Sequence, residues 1–452
     1  MEGAPDLPVA AAGAALRSGR LGAAALCEAH LARIAERDPA IGAFVHVAAS
    51  AARASARAAE AELRAGRDRG PLHGIPVAVK DVLDVAGWPV RHGSRLHEDR
   101  IAPADAPAVA RLRAGGAVLL GLTATYDGGI VGPGDDGLYP QPRNPWDPER
   151  ITGGSSSGSA AAVAAGMVRM ALGTDTGGSV RSPAAYCGVV GLKPTFGAVA
   201  HAGPALLAPS LDHVGVLARS VPEAAALVDA ASGRRTRWDD GVRGLRIGYA
   251  RAWCDGADAH PAMRRAMDDA MSALSLLGAR VALVELPPYA LMESVGAILV
   301  HAEGLARHRA ALRGDGGAMG RMAYRSMSAG AALRPAEVAA ARAAVPALRA
   351  AVDDLLSAAD VLVTPTTLGP APRFEAFKGG RTVWTPMRTL PFNLTGHPAL
   401  SIPMGFADGL PLGLQIVARH GAEAVACRVG AAFEAATGHR AGAPTVPWAI
   451  AS

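Results

Sequence analysis

The sequence predicts an α/β protein whose sheet is covered on both faces by helices. Two observations carry this. Short apolar runs rich in β-branched residues recur along the chain, and longer helical stretches alternate with them. A third, the length of 452 residues, is enough to bury one large core. No internal repeat and no linker divides the chain, so a single domain over 1–452 is expected.

Residues 8–37 read as two helices, and an Ala-rich helix follows near 49–65, giving a helical N-terminal segment over about 1–68. Ile75 to Val79 reads as a buried strand that ends at Lys80-Asp81. Val109 to Ala114 reads as helix and Val118-Leu119-Leu120 as strand. Gly128 to Asn144 is dense in Gly, Pro and Asp, and reads as a loop. A helix from Ser157 to Ala165 and a short strand from Met170 to Leu172 follow. Further strands are expected near 245–249, 281–285, 360–363, 399–403 and 412–417, with helices near 221–231, 261–277, 336–358 and 421–436. The 261–277 helix has Pro261 in its first turn, Gly278 past its end, and a stripe of Met263, Met267, Met271 and Leu274 that belongs to the core.

Composition narrows the function classes. Half the residues are apolar but only 4% are aromatic, so the core is built from Ala, Val, Leu and Ile. The net charge of +5 is scattered, and Arg234-Arg235-Thr236-Arg237 lacks interleaved aromatics, so no nucleic-acid partner is expected. Cys27, Cys187, Cys254 and Cys427 form no Cys-x-x-Cys pair, and no His-Glu-x-x-His helix exists. No metal and no organic cofactor is expected. Glu2 and Asp6 precede the first small-residue run, and no long uncharged apolar run exists. The expectation is a cytoplasmic protein without a membrane span.

Only three of the 45 basic residues are lysines: Lys80, Lys193 and Lys378. Arginine cannot be deprotonated in a protein, whereas a buried lysine can lose its proton. Lys80 ends an apolar strand and is a candidate neutral base. The competing reading is a strand-end lysine paired with Asp81 or Asp84.

Two Gly-Ser segments offer partners. Thr152-Gly-Gly-Ser-Ser-Ser-Gly-Ser159 precedes an Ala-rich helix, and a helix N-terminus suits a developing anion. Its Gly-x-Ser-x-Gly match, centred on Ser156, lacks a preceding apolar strand and is taken as incidental. Gly173 to Arg181 follows a strand, and Gly177-Gly178-Ser179 allows successive N–H groups to face one spot, as an oxyanion hole requires. Asp175 and Arg181 have opposite charges and could brace that turn.

These stretches together resemble the amidase signature family. The resemblance rests on Gly74 to Asp81, Arg143-Asn144-Pro145-Trp146-Asp147, Gly153 to Ser159, Gly173 to Arg181, and Cys187 to Thr195. It extends to Gly396 to Pro403 and Leu412 to Gln415, with the core motifs over about 71–220. The resemblance implies an α/β/α sandwich with one large, mixed, twisted sheet. It implies a small-molecule amide substrate, and by analogy a homodimer. It places Ser179 as nucleophile, Ser155 as bridging serine after a cis peptide bond, and Lys80 as base. Thr176, Gly177, Gly178 and Ser179 become the oxyanion-hole amides, and Ser156, Asp175 and Arg181 supporting residues. Lys193 has no role in the relay and is read as structural.

The segment from Leu122 to Gly137 departs from the family pattern. By analogy it borders the substrate pocket, which makes Tyr126, Asp127, Gly128 and Gly129 candidate substrate contacts and an unusual substrate the expectation. Three other readings compete with a free-standing amidase. A glutaminase subunit of a tRNA-dependent amidotransferase would share the relay and need a partner. A non-catalytic scaffold on the same fold would be expected to lose a relay residue, and none is lost. A Ser-His-Asp esterase would use Ser156.

Overall fold

The structure is a computed structural model and describes residues 3–130, 132–134, 136–200, 207–314, 316–380 and 385–439. Its strands, in chain order, are β1 (Phe44–Val47), β2 (Pro76–Lys80), β3 (Val118–Thr123), β4 (Arg143–Asn144), β5 (Asp147–Ile151), β6 (Met170–Asp175) and β7 (Val190–Lys193). They continue with β8 (His213–Ala218), β9 (Arg246–Tyr249), β10 (Arg280–Leu283), β11 (Val361–Pro365), β12 (Ala399–Ala407) and β13 (Leu410–Val417). Eleven of them form one sheet in the order β1-β3-β2-β6-β8-β7-β12-β13-β11-β9-β10, and β4 pairs separately with β5. The sheet is mixed: β2 runs parallel to β3 and β6, whereas β8 is antiparallel to both β6 and β7. Helices flank it, as the alternation predicts.

Most predicted elements form. Strands expected near 75–79, 118–120 and 170–172 appear as β2, β3 and β6, each extended by one to three residues at its C-terminal end. The second N-terminal helix runs on to Ile41, through Pro39. The 262–276 helix buries its Met263, Met267, Met271 and Leu274 stripe.

Several elements escape the sequence pattern. β8 is buried along its whole length between β6 and β7, so it shows no alternation. The helix Tyr289–Gly314 packs against helices Arg321–Ser328, Pro335–Ala358 and Leu390–Leu394. A helix contacted on several sides has no single apolar stripe to reveal it. Among the described residues, no helix is long and apolar enough to cross a membrane.

The parallel neighbours β2 and β6 position the site. Ala78 lies beside Ala171 and Val79 beside Leu172, so both strands end at the same edge of the sheet. Lys80 and the turn after Asp175 therefore meet at the carboxyl ends of parallel strands, where α/β sheets commonly bind ligands.

Candidate active site

Lys80 is wholly buried, with its Nζ 2.8 Å from Ser155 Oγ and 2.8 Å from Thr174 Oγ1. Burial pulls its pKa down to about 7, against the opposing pull of Asp175 and Asp212. The acidic neighbours in sequence are occupied elsewhere. Asp81 accepts the backbone N–H groups of Arg91 and Gly93, and Asp84 pairs with Arg100. The ion-pair reading of Lys80 therefore does not hold.

Ser155 and Ser156 have different fates. The Gly154–Ser155 peptide bond is cis, and Ser155 Oγ faces Lys80. Gly154 packs so closely on the Tyr126 ring that a Cβ there would lie 2.3 Å from it. Ser156 is fully buried, its Oγ donating to the Thr174 carbonyl 3.1 Å away. A nucleophile at Ser156 is thus walled off from any substrate. The helix Ser157–Ala164 that follows is buried at every residue and is fastened to β6 by Ser159 Oγ, which donates to the Leu172 carbonyl at 3.0 Å.

The turn from Asp175 to Arg181 is held from inside. The Asp175 carboxylate accepts the N–H groups of Gly178 at 2.8 Å and Val180 at 3.1 Å, and pairs with the Arg181 guanidinium at 2.8 Å. Burial alone would raise the Asp175 pKa. The charge and hydrogen bonds of Arg181, with Lys193 and Asn393 nearby, outweigh it and hold this carboxyl well below the usual range. Arg181 also reaches the Thr389 carbonyl, Gln415 Oε1 and Asn393 Oδ1, so both buried charges are fully partnered.

This brace changes one expected role. The Gly178 N–H is committed to Asp175, so it is not free to face an oxyanion. Gly178 is there for shape: its φ is +134°, and a Cβ would fall 2.1 Å from Thr389 Oγ1. The N–H groups of Gly177 and Ser179 make no hydrogen bond among the described residues. Thr176 turns its hydroxyl to Asp212, donating at 2.6 Å.

Ser179 opens onto a cavity of about 70 Å³. Its walls include Tyr126, Gly129, Ile130, Ile151, Leu207, Phe377 and Met387, and none of the described lining residues carries a charge. Ser155 lies behind this surface, almost fully buried. Past Pro133 and Phe377, a wider groove of about 950 Å³ carries Arg143, Glu149, Arg373, Glu375 and Lys378.

The candidate substrate segment divides. Tyr126 and Gly129 line the cavity, but Asp127 and Gly128 do not. Asp127 Oδ2 instead accepts the Gly320 N–H at 2.6 Å, and burial raises its pKa to about 6. The other two lysines make structural contacts: Lys193 is buried and donates to the Pro194 and His397 carbonyls, and Lys378 pairs with Glu375 at the surface. Sequence reasoning missed Thr174, Asp212, Asn393 and Gln415. Thr174 and Gln415 stand inside stretches already marked by the motifs, whereas Asp212 and Asn393 carry no local signal.

Comparison with known proteins shows the family. A family model described as Amidase matches residues 25–427. The chain is 36% identical over 476 residues to a subunit of the glutamyl-tRNA(Gln) amidotransferase of Symbiobacterium thermophilum, covering 95% of this chain and 96% of that protein. It superposes on a solved amidase structure with a TM-score of 0.87 at 34% identity, covering 95% of this chain and 99% of the other. The native peptide amidase from Stenotrophomonas maltophilia gives a TM-score of 0.84 at 32% identity, with 98% and 99% covered.

Proposed function

The chain belongs to the amidase family, and from that premise we propose that it hydrolyses neutral carboxylic amides through an acyl-enzyme on Ser179. The observation that carries this reading is the buried Lys80 amine, 2.8 Å from Ser155 Oγ, directly behind the Ser179 turn. A neutral amine can donate to Thr174 and still accept the Ser155 proton. Ser155 then takes the proton of Ser179, whose oxygen attacks the amide carbonyl. The oxyanion is received by backbone N–H groups of the turn, of which Gly177 and Ser179 are unengaged. The proton returns along the same path to the departing nitrogen, which leaves poorly unless protonated. Water, activated by the same relay, releases the acid.

The cavity favours an uncharged group beside the scissile bond. Burying an unpaired charge costs several kcal/mol even after relaxation, on the order of 3–5 or more. Free glutamine brings an ammonium and a carboxylate, and the described cavity wall offers neither a partner. The competing reading, a glutaminase that works within a larger complex, is favoured by the likeness to the amidotransferase. The purified chain alone, assayed on aliphatic and aromatic amides and on glutamine, separates the two. Neutral amides should be cleaved with kcat/KM at least about 100-fold above that for glutamine, a gap of about 2.7 kcal/mol. Cleavage of glutamine alone, or only once a partner protein is supplied, would establish the glutaminase reading instead.

A further inference from the structure

Far from Ser179 in the sequence, Asp353, His397 and His420 come together. β12 and β13 are antiparallel with Ala399 opposite Val417, so the residues just before β12 and just after β13 lie at one end of the pair. There the His397 and His420 rings stack, with centroids 4.1 Å apart and planes 22° apart. The helix Pro335–Ala358 brings Asp353 over them. His397 Nε2 lies 3.0 Å from Asp353 Oδ1, and His420 Nδ1 lies 3.9 Å from the same oxygen.

The surrounding hydrogen bonds assign the protons. Thr395 Oγ1 donates to the Pro391 carbonyl at 3.0 Å, so it accepts from His397 Nδ1 at 2.9 Å. In the neutral ring this leaves a lone pair on His397 Nε2, 3.0 Å from Asp353 Oδ1. His420 Nε2 is 3.0 Å from the Thr395 carbonyl, which only an N–H can satisfy, so in the neutral ring the lone pair is on Nδ1. These two ring nitrogens and the Asp353 carboxylate oxygen lie within 4.8 Å of one another.

We propose that Asp353, His397 and His420 bind a divalent transition-metal ion such as zinc. Two imidazoles and one carboxylate form a donor set suited to such ions, with bonds of about 2.0–2.2 Å. Asp353 is 46% exposed and His420 36% exposed, which leaves room for water as the fourth ligand. The second ligand sphere is present: Thr395 supports both rings, as outer partners of metal-bound histidines do. The members of this set are scattered along the chain, so no local motif marks them in the sequence. The ion would clasp the helix Pro335–Ala358 to the β12–β13 end of the sheet. It is separate from the Lys80–Ser155–Ser179 chemistry, so its presence or absence leaves the proposed reaction untouched.

The test uses the full chain, without an affinity tag and stripped with chelator, titrated with zinc chloride in a calorimeter. One ion should bind per chain and raise the melting temperature. His420→Ala and Asp353→Asn, both at exposed positions, should each weaken binding by more than the roughly 10- to 100-fold that loss of an outer partner costs. Both should keep the basal hydrolytic activity of the metal-free wild type. Absence of one-site binding, or unchanged affinity in both variants, overturns the proposal. The first result would mean that His397 Nε2 carries a proton donated to Asp353, and the second that zinc is held elsewhere.

Discussion

Lys80 shows how burial selects one cation over another. Its amine is removed from water and given two hydroxyl partners but no carboxylate. Desolvation then does what no neighbouring charge opposes strongly enough, and the pKa falls to about 7. Arginine at this position would keep its charge and could not accept a proton. Lys80→Arg and Lys80→Ala are therefore both expected to lower kcat on an amide by about 100- to 10,000-fold. In the proposed relay the base is the deprotonated amine, so wild-type kcat/KM should rise with pH through about 7 and level off above it. Near-normal turnover by Lys80→Arg, measured on the same amide, would remove Lys80 from the relay.

At the scale of elements, the turn between β6 and the helix Arg181–Cys187 is shaped by the buried pair Asp175–Arg181. The carboxylate caps the N–H groups of Gly178 and Val180, while the guanidinium ties the turn to Thr389, Asn393 and Gln415. Arg181→Met would leave Asp175 charged, buried and unpaired, which costs about 3–5 kcal/mol. The sign with pH follows from linkage. Asp175 has a depressed folded pKa, so its contribution is present above the unfolded value of about 3.9 and is lost as pH falls through the folded one. In Arg181→Met that depression is gone. The stability gap between wild type and variant should therefore be widest near pH 7 and narrow below about pH 4. Urea unfolding at both pH values measures it. A gap that does not change with pH would assign the loss to packing rather than charge.

At the scale of the whole molecule, the sheet order interleaves distant parts of the chain. β12 and β13, from the C-terminal third, sit between β7 and β11, and β9 and β10 reach the sheet only through β11. One hydrophobic cluster runs from Val9 to Phe433. Because this cluster draws on both ends of the described chain, we predict that the molecule unfolds as one unit. Calorimetry of the metal-free chain should give a single transition with equal van't Hoff and calorimetric enthalpies. Two resolved transitions would count against the single domain expected from the sequence.

What the sequence determined by itself was local. The β2 run ending in Lys80, the Gly-Ser segment before an Ala-rich helix, and the Gly-Gly-Ser turn after β6 are each continuous stretches whose residue types fix their backbone. They were legible because glycine, serine and lysine at those points have few other uses. Tertiary structure decided the rest. It chose between Ser155 and Ser156 by burying one hydroxyl against Thr174 and turning the other to Lys80. It committed the Gly178 N–H to Asp175 and turned Asp127 towards Gly320 rather than the cavity. It recruited Asp212 and Asn393, and it gathered Asp353, His397 and His420 from three separate elements. Each of these depends on which groups meet across the sheet and on who supplies the last hydrogen bond, and residues distant along the chain carry no local pattern that states it.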